Sequence, residues 1–370
     1  MPSDPNAADP ADLLAAWLRL SLTPGLGDAG QRALLAAFGL PDQVLAAGRA
    51  ALARVVGDRL AATVLDADRE AAVAAHLAWA SEADHHILTL ADATYPGQLL
   101  TMADPPTVLF AKGRLDVLEH RALAMVGARS ATAQGIDNAR AFAAALSGAG
   151  LTVVSGLALG IDAAAHEGAL DGEGGTIAVI GTGADRIYPS RNQALARRIA
   201  REGLILTEFP LGTPARRHHF PKRNRLIAGL ARGVLVVEAA IGSGSLITAR
   251  LAAEQGREVF AIPGSIHSPL SRGCHRLIRE GAKLVESAGD VLEELAWTRP
   301  GAVAPAVAEP VPADGAAQSV LEALGFDPVD LDTLLQRSGL TPDSLSAILL
   351  TMELDGHVAR LPGGRFQRIQ

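Results

Sequence analysis

The sequence has little cysteine and no long apolar run. Cys274 is its single cysteine, which excludes a framework of internal disulfides. No apolar stretch approaches the roughly 20 residues of a membrane-spanning helix. The opening residues, MPSDPNAADPADLL, contain neither the basic part nor the apolar part of a secretion signal. We therefore expect a cytoplasmic protein without a membrane span.

Acidic residues are absent from one long segment. Residues 212–232, GTPARRHHFPKRNRLIAGLAR, contain six Lys or Arg and no acid, although the formal net charge of the chain is -7. The apolar residues Leu226, Ile227 and Leu230 predict a helix that begins at Pro221, and the following GVLVVEA predicts a buried strand. The cations would then stand on a rigid element, as a phosphate-binding surface requires. The alternative is a solvated helix face, which normally mixes both signs.

Aromatic residues are also scarce, at 4% of the chain, yet Phe220 lies inside this basic segment. It is followed closely by Lys222, Arg223 and Asn224. Single-stranded nucleic acid is bound by this combination, because cations hold the backbone, a ring stacks on a base and an amide pairs with a base edge. Phe220 could equally anchor the helix in the core. Both interpretations stay open at this point.

The pattern of apolar residues divides the chain into domains. Residues 11–80 predict a small helical domain of the SAM or helix-hairpin-helix type. Its turn at Pro24-Gly25-Leu26-Gly27 resembles a phosphate-binding hairpin, although an ordinary glycine turn is the favoured interpretation. Residues 299–318, rich in Pro and Ala, predict a linker.

Residues 85–297 alternate between apolar strands and amphipathic helices. The strands are mostly continuous apolar runs, which indicates burial on both faces of a parallel sheet. We predict an α/β fold, an extended Rossmann-like, doubly wound and mostly parallel sheet with two additional strands at its start. The predicted strands are HHILTL, TVLFAKG, LAMVGA, LTVVSG, TIAVIG, LILTEF, GVLVVEA, EVFAIPG and AKLVES, and the predicted helices are 134–149, 161–170, 190–202, 221–231, 245–256 and 275–280.

Residues 319–370 predict three helices and a β-hairpin, which is the order of a winged-helix domain. Thr341 is the expected cap of the recognition helix, and Arg360, Arg365 and Arg368 make the wing basic. The helices carry many acids, so contact with another protein is at least as well supported as contact with DNA.

Small residues follow most strands of the middle domain. Strand ends of an open parallel sheet form the crevice that binds ligands, and glycines let a polyanion approach the backbone. Arg129 could reach a phosphate there, or could form a salt bridge to a carboxylate. No P-loop occurs, and Arg186 stands where a dinucleotide fingerprint needs glycine, so we expect no nucleotide cofactor. The strand-end segments are Gly127-Ala128-Arg129-Ser130, Ser155-Gly156, Gly181-Thr182-Gly183 and Gly242-Ser243-Gly244-Ser245.

Catalytic and metal-binding patterns are weak. Asp162 and His166 could form an acid–base dyad, but we favour Asp162 as a helix cap because no nucleophile has a matching spacing. His218-His219, His267 and Cys274-His275 do not have the spacing of a zinc site. We therefore predict no metal and no enzymatic activity.

Seven segments in order resemble the DNA-processing protein A family, also called Smf. The resemblance covers essentially the whole middle domain and is highly specific. The segments are MVGARSATAQG (125–135), VVSGLALGIDAAAH (153–166), TIAVIGTGADRIYP (176–189), EFPLGTP (208–214), FPKRNRLIAGL (220–230), VVEAAIGSGSLITA (236–249) and REVFAIPGSIHSPLSRGCHRLIREGAKLVES (257–287).

This resemblance implies a homodimer that binds and protects incoming single-stranded DNA and loads the RecA recombinase onto it during natural transformation. The implied DNA-binding residues are Arg129, Ser130, Ser155, Gly156, Phe220, Lys222, Arg223 and Asn224, with Gly181, Gly183, Gly242, Ser243 and Ser245 as secondary candidates.

Two other functions are weighed against this one. Related phosphoribohydrolases process nucleotides with a Gly-Gly-x-Gly-Thr loop followed by a catalytic Glu, whereas the corresponding loop here, GSGSLITAR, contains no acid. A regulator that binds duplex DNA through its winged helix is the third possibility, and the acids on those helices count against it.

Overall fold

The structure is a computed structural model that describes residues 10–297 and 315–369. A helical region is followed by a nine-stranded sheet and then by a three-stranded sheet. The last helix-rich region begins at Gly315, so residues 315–318 of the predicted linker are helical, and the rest of that linker lies outside the described residues. Within the described part, no helix is long and apolar enough to cross a membrane.

The N-terminal region is helical, as predicted. Leu20, Leu34 and Leu52 are almost fully buried in its own core. A second apolar cluster joins Trp17 of this region to Phe110 of the central sheet, so the helices pack on the sheet. The helices are α1 (Pro10–Ser21), α2 (Gly27–Phe38), α3 (Pro41–Ala46), α4 (Arg49–Val56), α5 (Asp58–Asp66) and α6 (Glu70–Ala80).

All nine predicted strand segments of the middle region form strands of one sheet. The sheet order is β1-β2-β6-β5-β4-β3-β7-β8-β9. Strands β3 to β9 run parallel, whereas β2 pairs antiparallel with both β1 and β6, which confirms the two additional strands. The strands are β1 (His85–Thr89), β2 (Val108–Gly113), β3 (Ala122–Val126), β4 (Thr152–Ser155), β5 (Thr176–Val179), β6 (Leu204–Thr207), β7 (Gly233–Val236), β8 (Glu258–Ala261) and β9 (Lys283–Leu284).

Helices cover both faces of this sheet. The basic helix begins at His219, two residues before the predicted start at Pro221, because proline is tolerated in a first turn whose N–H groups have no helical partner. The last helix of this region, Ala288–Glu294, begins with a capping box between Ser287 and Asp290 and was not predicted. The helices are α7 (Ala133–Gly148), α8 (Ile161–Ala169), α9 (Gln193–Glu202), α10 (His219–Leu230), α11 (Ser245–Glu254), α12 (Arg272–Arg279) and α13 (Ala288–Glu294), with 3-10 turns at Gly97–Thr101, Leu115–Leu118 and Ser190–Asn192.

The strand order reverses between β3 and β7. Strand β3 pairs with β4 on one side and with β7 on the other, so the chain leaves these two strands in opposite directions. Their carboxyl ends open a crevice at this switch point, which is where open α/β sheets bind ligands. The loops after Val126 and Val236 border it.

The C-terminal region forms the predicted winged helix. The side chain of Thr341 accepts a hydrogen bond from the backbone N–H of Ser344, which confirms the cap. Gly363 and Gly364 turn the wing with positive φ angles, as glycine readily does. The elements are α14 (Gly315–Leu324), β10 (Val329–Asp330), α15 (Leu331–Ser338), α16 (Pro342–Leu354), β11 (Val358–Leu361) and β12 (Arg365–Arg368), and the sheet order is β10-β12-β11.

Candidate nucleic-acid interface

Helix α10 divides the basic segment between two faces. Phe220, Arg223 and Asn224 lie on the face that lines a cleft. Lys222 and Arg225 lie on another face and contact acidic side chains. Residues three or four positions apart share a side of a helix, which groups Phe220 with Arg223 and Asn224, and Lys222 with Arg225. The cations that follow one another in the sequence therefore do not form one surface.

The cleft has a volume of about 540 Å³ and lies at the crevice between β3 and β7. Three guanidinium groups line it, those of Arg129, Arg217 and Arg223, together with one carboxylate, that of Asp162. This excess of positive charge favours an anionic ligand. The lining residues are Val126, Gly127, Arg129, Ala158, Asp162, Tyr188, Arg217, Phe220, Pro221, Arg223, Asn224, Ile227, Ser243, Gly244, Ser245, Ile247 and Thr248.

Arg129 follows the end of β3 and is exposed. Its Cζ atom lies 5.8 Å from the centre of the Phe220 ring, within cation–π distance. Across residues 10–297 and 315–369, Arg129 forms no ion pair. The structure thus does not contain the salt bridge that was the alternative for this residue, and the guanidinium faces the cleft.

Phe220 is half-buried at the side of the cleft. A Cβ atom at Gly181 would lie 3.1 Å from its ring, so glycine at this position makes room for the ring. The ring of Tyr188 lies 5.5 Å away between centres, tilted by 37°. Phe220 therefore packs against neighbours, as a core anchor does, and also lines the cleft, as a base-stacking ring requires.

Arg223 forms the floor of the cleft. It is only 4% exposed and donates hydrogen bonds to the carbonyl oxygens of Gly156, at 2.7 Å, and Val179. Burial lowers the pKa of Arg223 to about 10, and the nearby Asp162 carboxylate opposes this shift. The group stays protonated at neutral pH. A Cβ atom at Gly156 would lie 2.5 Å from the guanidinium, so only glycine lets Arg223 reach the strand ends.

Several residues that the sequence places at the site lie elsewhere. Ser155 is fully buried, and its hydroxyl donates to the carbonyl of Met125 at 2.6 Å. Its side chain therefore does not reach the cleft. Ser130 is exposed but does not line the cleft, and Lys222 lies on the other face of α10.

Of the secondary candidates, too, some line the cleft and others lie outside it. Ser243 and Ser245 line the cleft, with their hydroxyl oxygens 2.6 Å apart. Gly242 borders a neighbouring cleft instead. The Gly183 N–H donates to the carbonyl of Thr213 at 3.0 Å, so it is used within the protein.

The other face of α10 carries a network of charges around the buried carboxylate of Glu208. Lys222 Nζ lies 2.7 Å from Asp28 of α2 and 3.1 Å from Glu208. Arg225 binds the Glu208 carboxylate and also lies 3.3 Å from Asp104. Burial raises the pKa of Glu208, and the neighbouring Arg225 and Lys222 oppose that rise. The network fixes α10 against the N-terminal helices, and the sequence analysis missed it because two of its acids, Asp28 and Asp104, come from distant segments.

The side chains of Asp162 and His166 accept hydrogen bonds from the loop that precedes their helix. The carboxylate of Asp162 accepts hydrogen bonds from the N–H groups of Gly156, at 3.1 Å, and Ala158, at 3.3 Å. The favoured prediction of a helix cap was wrong, because Gly160 is the N-cap of α8 and Asp162 lies within its first turn.

His166 is fully buried and neutral. Its Nε2 atom accepts a hydrogen bond from the N–H of Leu157 at 3.2 Å, and its Nδ1 atom lies 2.7 Å from the Thr176 hydroxyl. Asp162 and His166 thus have separate partners and do not form the dyad. Burial and the nearby Arg223 lower the pKa of His166 from 6.5 to about 3.

The low pKa of His166 predicts acid sensitivity. The unfolded chain takes up a proton near pH 6.5, while the folded protein does not until about pH 3. Stability from this residue is therefore present above pH 6.5 and is lost as the pH falls, by about 2 kcal/mol between pH 7 and pH 5. We expect urea unfolding to show this loss in the native protein and a smaller loss in His166→Gln. Equal losses in both proteins would show that His166 does not carry the effect.

Among the basic and aromatic residues of the cleft, the sequence analysis did not single out Tyr188 and Arg217. Arg217 was counted in the basic segment but was not singled out. Tyr188 follows the glycine-rich end of β5, and an aromatic residue after such a strand end is the signal that could have identified it.

Metal binding and thiol chemistry find no support in the parts of the chain that the structure describes. Within them, no three His, Cys, Asp or Glu side chains come together as a metal site would require. Burial raises the pKa of the Cys274 thiol to about 12, so it is not ionised at neutral pH. The cleft instead combines guanidinium groups, two aromatic rings, an amide and the hydroxyls of Ser243, Ser245 and Thr248, which can bind phosphates and stack bases.

Known proteins resemble this chain both in sequence and in fold. A family model described as DNA recombination-mediator protein A matches residues 86–296, and one described as DprA winged helix domain matches residues 304–364. The chain is 42% identical over 295 residues to Protein Smf of Escherichia coli K12, covering 78% of this chain and 79% of that protein. It is 51% identical over 206 residues to DNA processing protein DprA of Streptococcus pneumoniae R6, covering 56% and 73%.

Two solved structures are similar as well. The X-ray structure of DNA processing protein A from Streptococcus pneumoniae has a TM-score of 0.68 and 40% identity, covering 76% of this chain and 97% of that one. A structure of DNA processing protein A from Helicobacter pylori, described for its single-stranded DNA binding mode, has a TM-score of 0.53 and 30% identity, covering 57% and 96%.

Proposed function

This chain belongs to the DNA recombination-mediator protein A family, and we propose that it binds single-stranded DNA in the cleft beside α10. The observation that carries the proposal is the convergence of three guanidinium groups and two aromatic rings in one cleft of about 540 Å³. Guanidinium groups neutralise phosphates, and rings stack on bases that no complementary strand covers. The single-stranded DNA binding attributed to the Helicobacter pylori relative supports the same ligand.

The proposed role is that of a mediator. After binding incoming single-stranded DNA, the protein protects it and delivers it to the RecA recombinase during natural transformation, acting as a homodimer. Membership of the family supports this role.

A RecA assay tests the mediator role. We expect the protein to raise the initial rate of RecA-dependent ATP hydrolysis on single-stranded DNA that is already covered by a single-strand-binding protein. The Arg129→Ala variant should fail to do so, because it binds the strand weakly. No stimulation by a native protein that binds the strand normally would reject the mediator role and leave the DNA-binding proposal intact.

Two other functions find less support. A nucleotide-processing enzyme would need a carboxylate after the glycine-rich loop, whereas Gly242–Arg250 contains none. Release of base or phosphate from nucleotides by the purified protein would revive that function. Duplex recognition by the winged helix is also disfavoured, because α16 carries Asp343 and Glu353 and no Lys or Arg.

A further inference from the structure

Helix α16 of the winged helix exposes an apolar strip. Its inner side packs Leu345 and Leu349 into the core of the domain. On the outer side, Leu350 is 58% exposed and Leu354 is 80% exposed, the highest value among the large apolar side chains that the structure describes. The two leucines lie four positions apart, so they share one side of the helix. A single exposed leucine is ordinary, whereas an aligned pair offers a partner a continuous apolar contact.

The charges around this strip are all negative. Asp343 and Glu353 lie on α16, Asp355 follows its last residue, and all three side chains are exposed. The helix contains no Lys or Arg. Within residues 10–297 and 315–369, none of the three carboxylates forms an ion pair. Such a helix repels a polyanion, although it is the element that enters the major groove when a winged helix binds DNA.

The basic wing does not compensate for these acids. Arg365 lines a groove of about 760 Å³ between the winged helix and the central domain, together with Asp330 and with His267 of that domain. Gln367, on the same strand β12, is buried and donates to the side chain of Gln134 of α7 at 3.0 Å. Strand β12 is therefore used against the central domain, while the outer side of α16 stays open to solvent.

We propose that the outer side of α16, with Leu350 and Leu354 at its centre, docks a partner protein through a helix whose apolar residues are flanked by Lys or Arg. Apolar contact supplies the affinity, and the surrounding carboxylates select a basic partner. The inference does not depend on the DNA-binding cleft and goes beyond the proposed function.

Charge disfavours two other occupants of this surface. The same surface of a second copy does not fit, because the acids of the two helices would repel each other. Residues 1–9 and 298–314 of the chain do not supply the basic partner either, because together they contain one Arg and no Lys.

A synthetic helical peptide tests the proposal on the full-length protein by fluorescence anisotropy. It has about 20 residues, with Leu at positions i, i+3, i+4 and i+7 and Lys elsewhere. We expect Leu350→Gln with Leu354→Gln, which keeps a good helix former at both positions, to bind this Lys peptide about 10-fold more weakly than the native protein does. Leu40→Gln with Leu65→Gln removes two exposed leucines of the N-terminal region and should bind as the native protein does.

Charge reversal tests the selection of a basic partner. Glu353→Lys with Asp355→Lys places cations at the C-terminal end of α16, where the helix dipole favours them, so this variant should fold. We expect it to prefer a peptide in which Glu replaces Lys, whereas the native protein prefers the Lys peptide. Asp66→Lys with Glu119→Lys changes the net charge equally on other exposed positions and should keep the native preference.

Two results with the Lys peptide would overturn the proposal: equal binding by the native protein and the Leu350/Leu354 variant, or no binding by the native protein. A DNA duplex of about 20 base pairs is the comparison ligand. Weaker duplex binding by the Leu350/Leu354 variant than by the native protein would show that α16 contacts DNA and would overturn the proposal as well.

Discussion

Alanine at both Arg129 and Arg217 is expected to weaken binding of single-stranded DNA by roughly 100-fold at moderate salt, because each guanidinium loses a charged contact to phosphate. The plot of log K against log salt should also become shallower by about 1.4, since each phosphate contact to a single strand contributes about 0.7. Both residues line the cleft, and both are exposed. Fluorescence anisotropy across a salt series measures the two quantities together.

A matched control variant separates the effect of lost phosphate contacts from the effect of a changed net charge. Arg114 and Arg198 pair with carboxylates outside the cleft, and their double alanine variant removes the same formal charge. We expect it to keep native affinity and slope. Lys222→Ala should also lose little, because Asp28 and Glu208 hold that side chain on the other face of α10. Similar losses in the cleft variant and the control would mean that binding follows overall charge and not this cleft.

Loss of Arg225 is expected to have the largest effect on stability. Its guanidinium neutralises Glu208, whose side chain is 1% exposed, and it donates to the carbonyl of Asp104. Arg225→Ala would leave a buried carboxylate with only Lys222 as a counter-ion. Removing one partner of such a pair costs about 3–5 kcal/mol. We expect this loss in urea unfolding followed by circular dichroism.

A double variant tests the cause of that loss. Arg225→Met together with Glu208→Leu removes both charges and keeps apolar volume, so it should recover much of the stability that Arg225→Ala loses. If the double variant is less stable than Arg225→Ala, the buried charge is not the source of the cost.

The fold was largely predictable because its signals are local. Most strands of the central sheet are short apolar runs, and Thr341 marks the start of the recognition helix by its own side chain. Helix α13 was missed because it is short, and the start of α10 was misplaced because proline is compatible with several positions of a first turn.

The site was predicted only in part because it depends on the rotation of α10 about its axis. The absence of acids in residues 212–232 identified the helix as a basic surface, but it did not show which of the cations face the cleft. Lys222 turns away because Asp28, from a distant helix, lies beside it. Ser155 was placed at the site because it ends β4, yet the side chain at that position points into the protein and donates to Met125. Such facts depend on contacts between segments that are far apart in the sequence.

The tests of the cleft also differ in what they isolate. Variants of Arg129 and Arg217 report on phosphate contacts, whereas variants of Tyr188 and Phe220, the two aromatic rings of the cleft, report on contacts to bases. The residues Arg223 and Gly156 are poor choices for substitution, because they hold each other in place beneath the cleft and a change would disturb the strand ends.

The central claim is that the cleft beside α10 binds a single strand of DNA. Its most direct test is a titration of the full-length protein with a single strand and with the duplex of the same sequence across a range of salt concentrations. We expect the single strand to bind more tightly than the duplex at every salt concentration, with an affinity that falls linearly in the log–log plot. Tighter binding of the duplex, or single-strand binding that does not respond to salt, would contradict the claim.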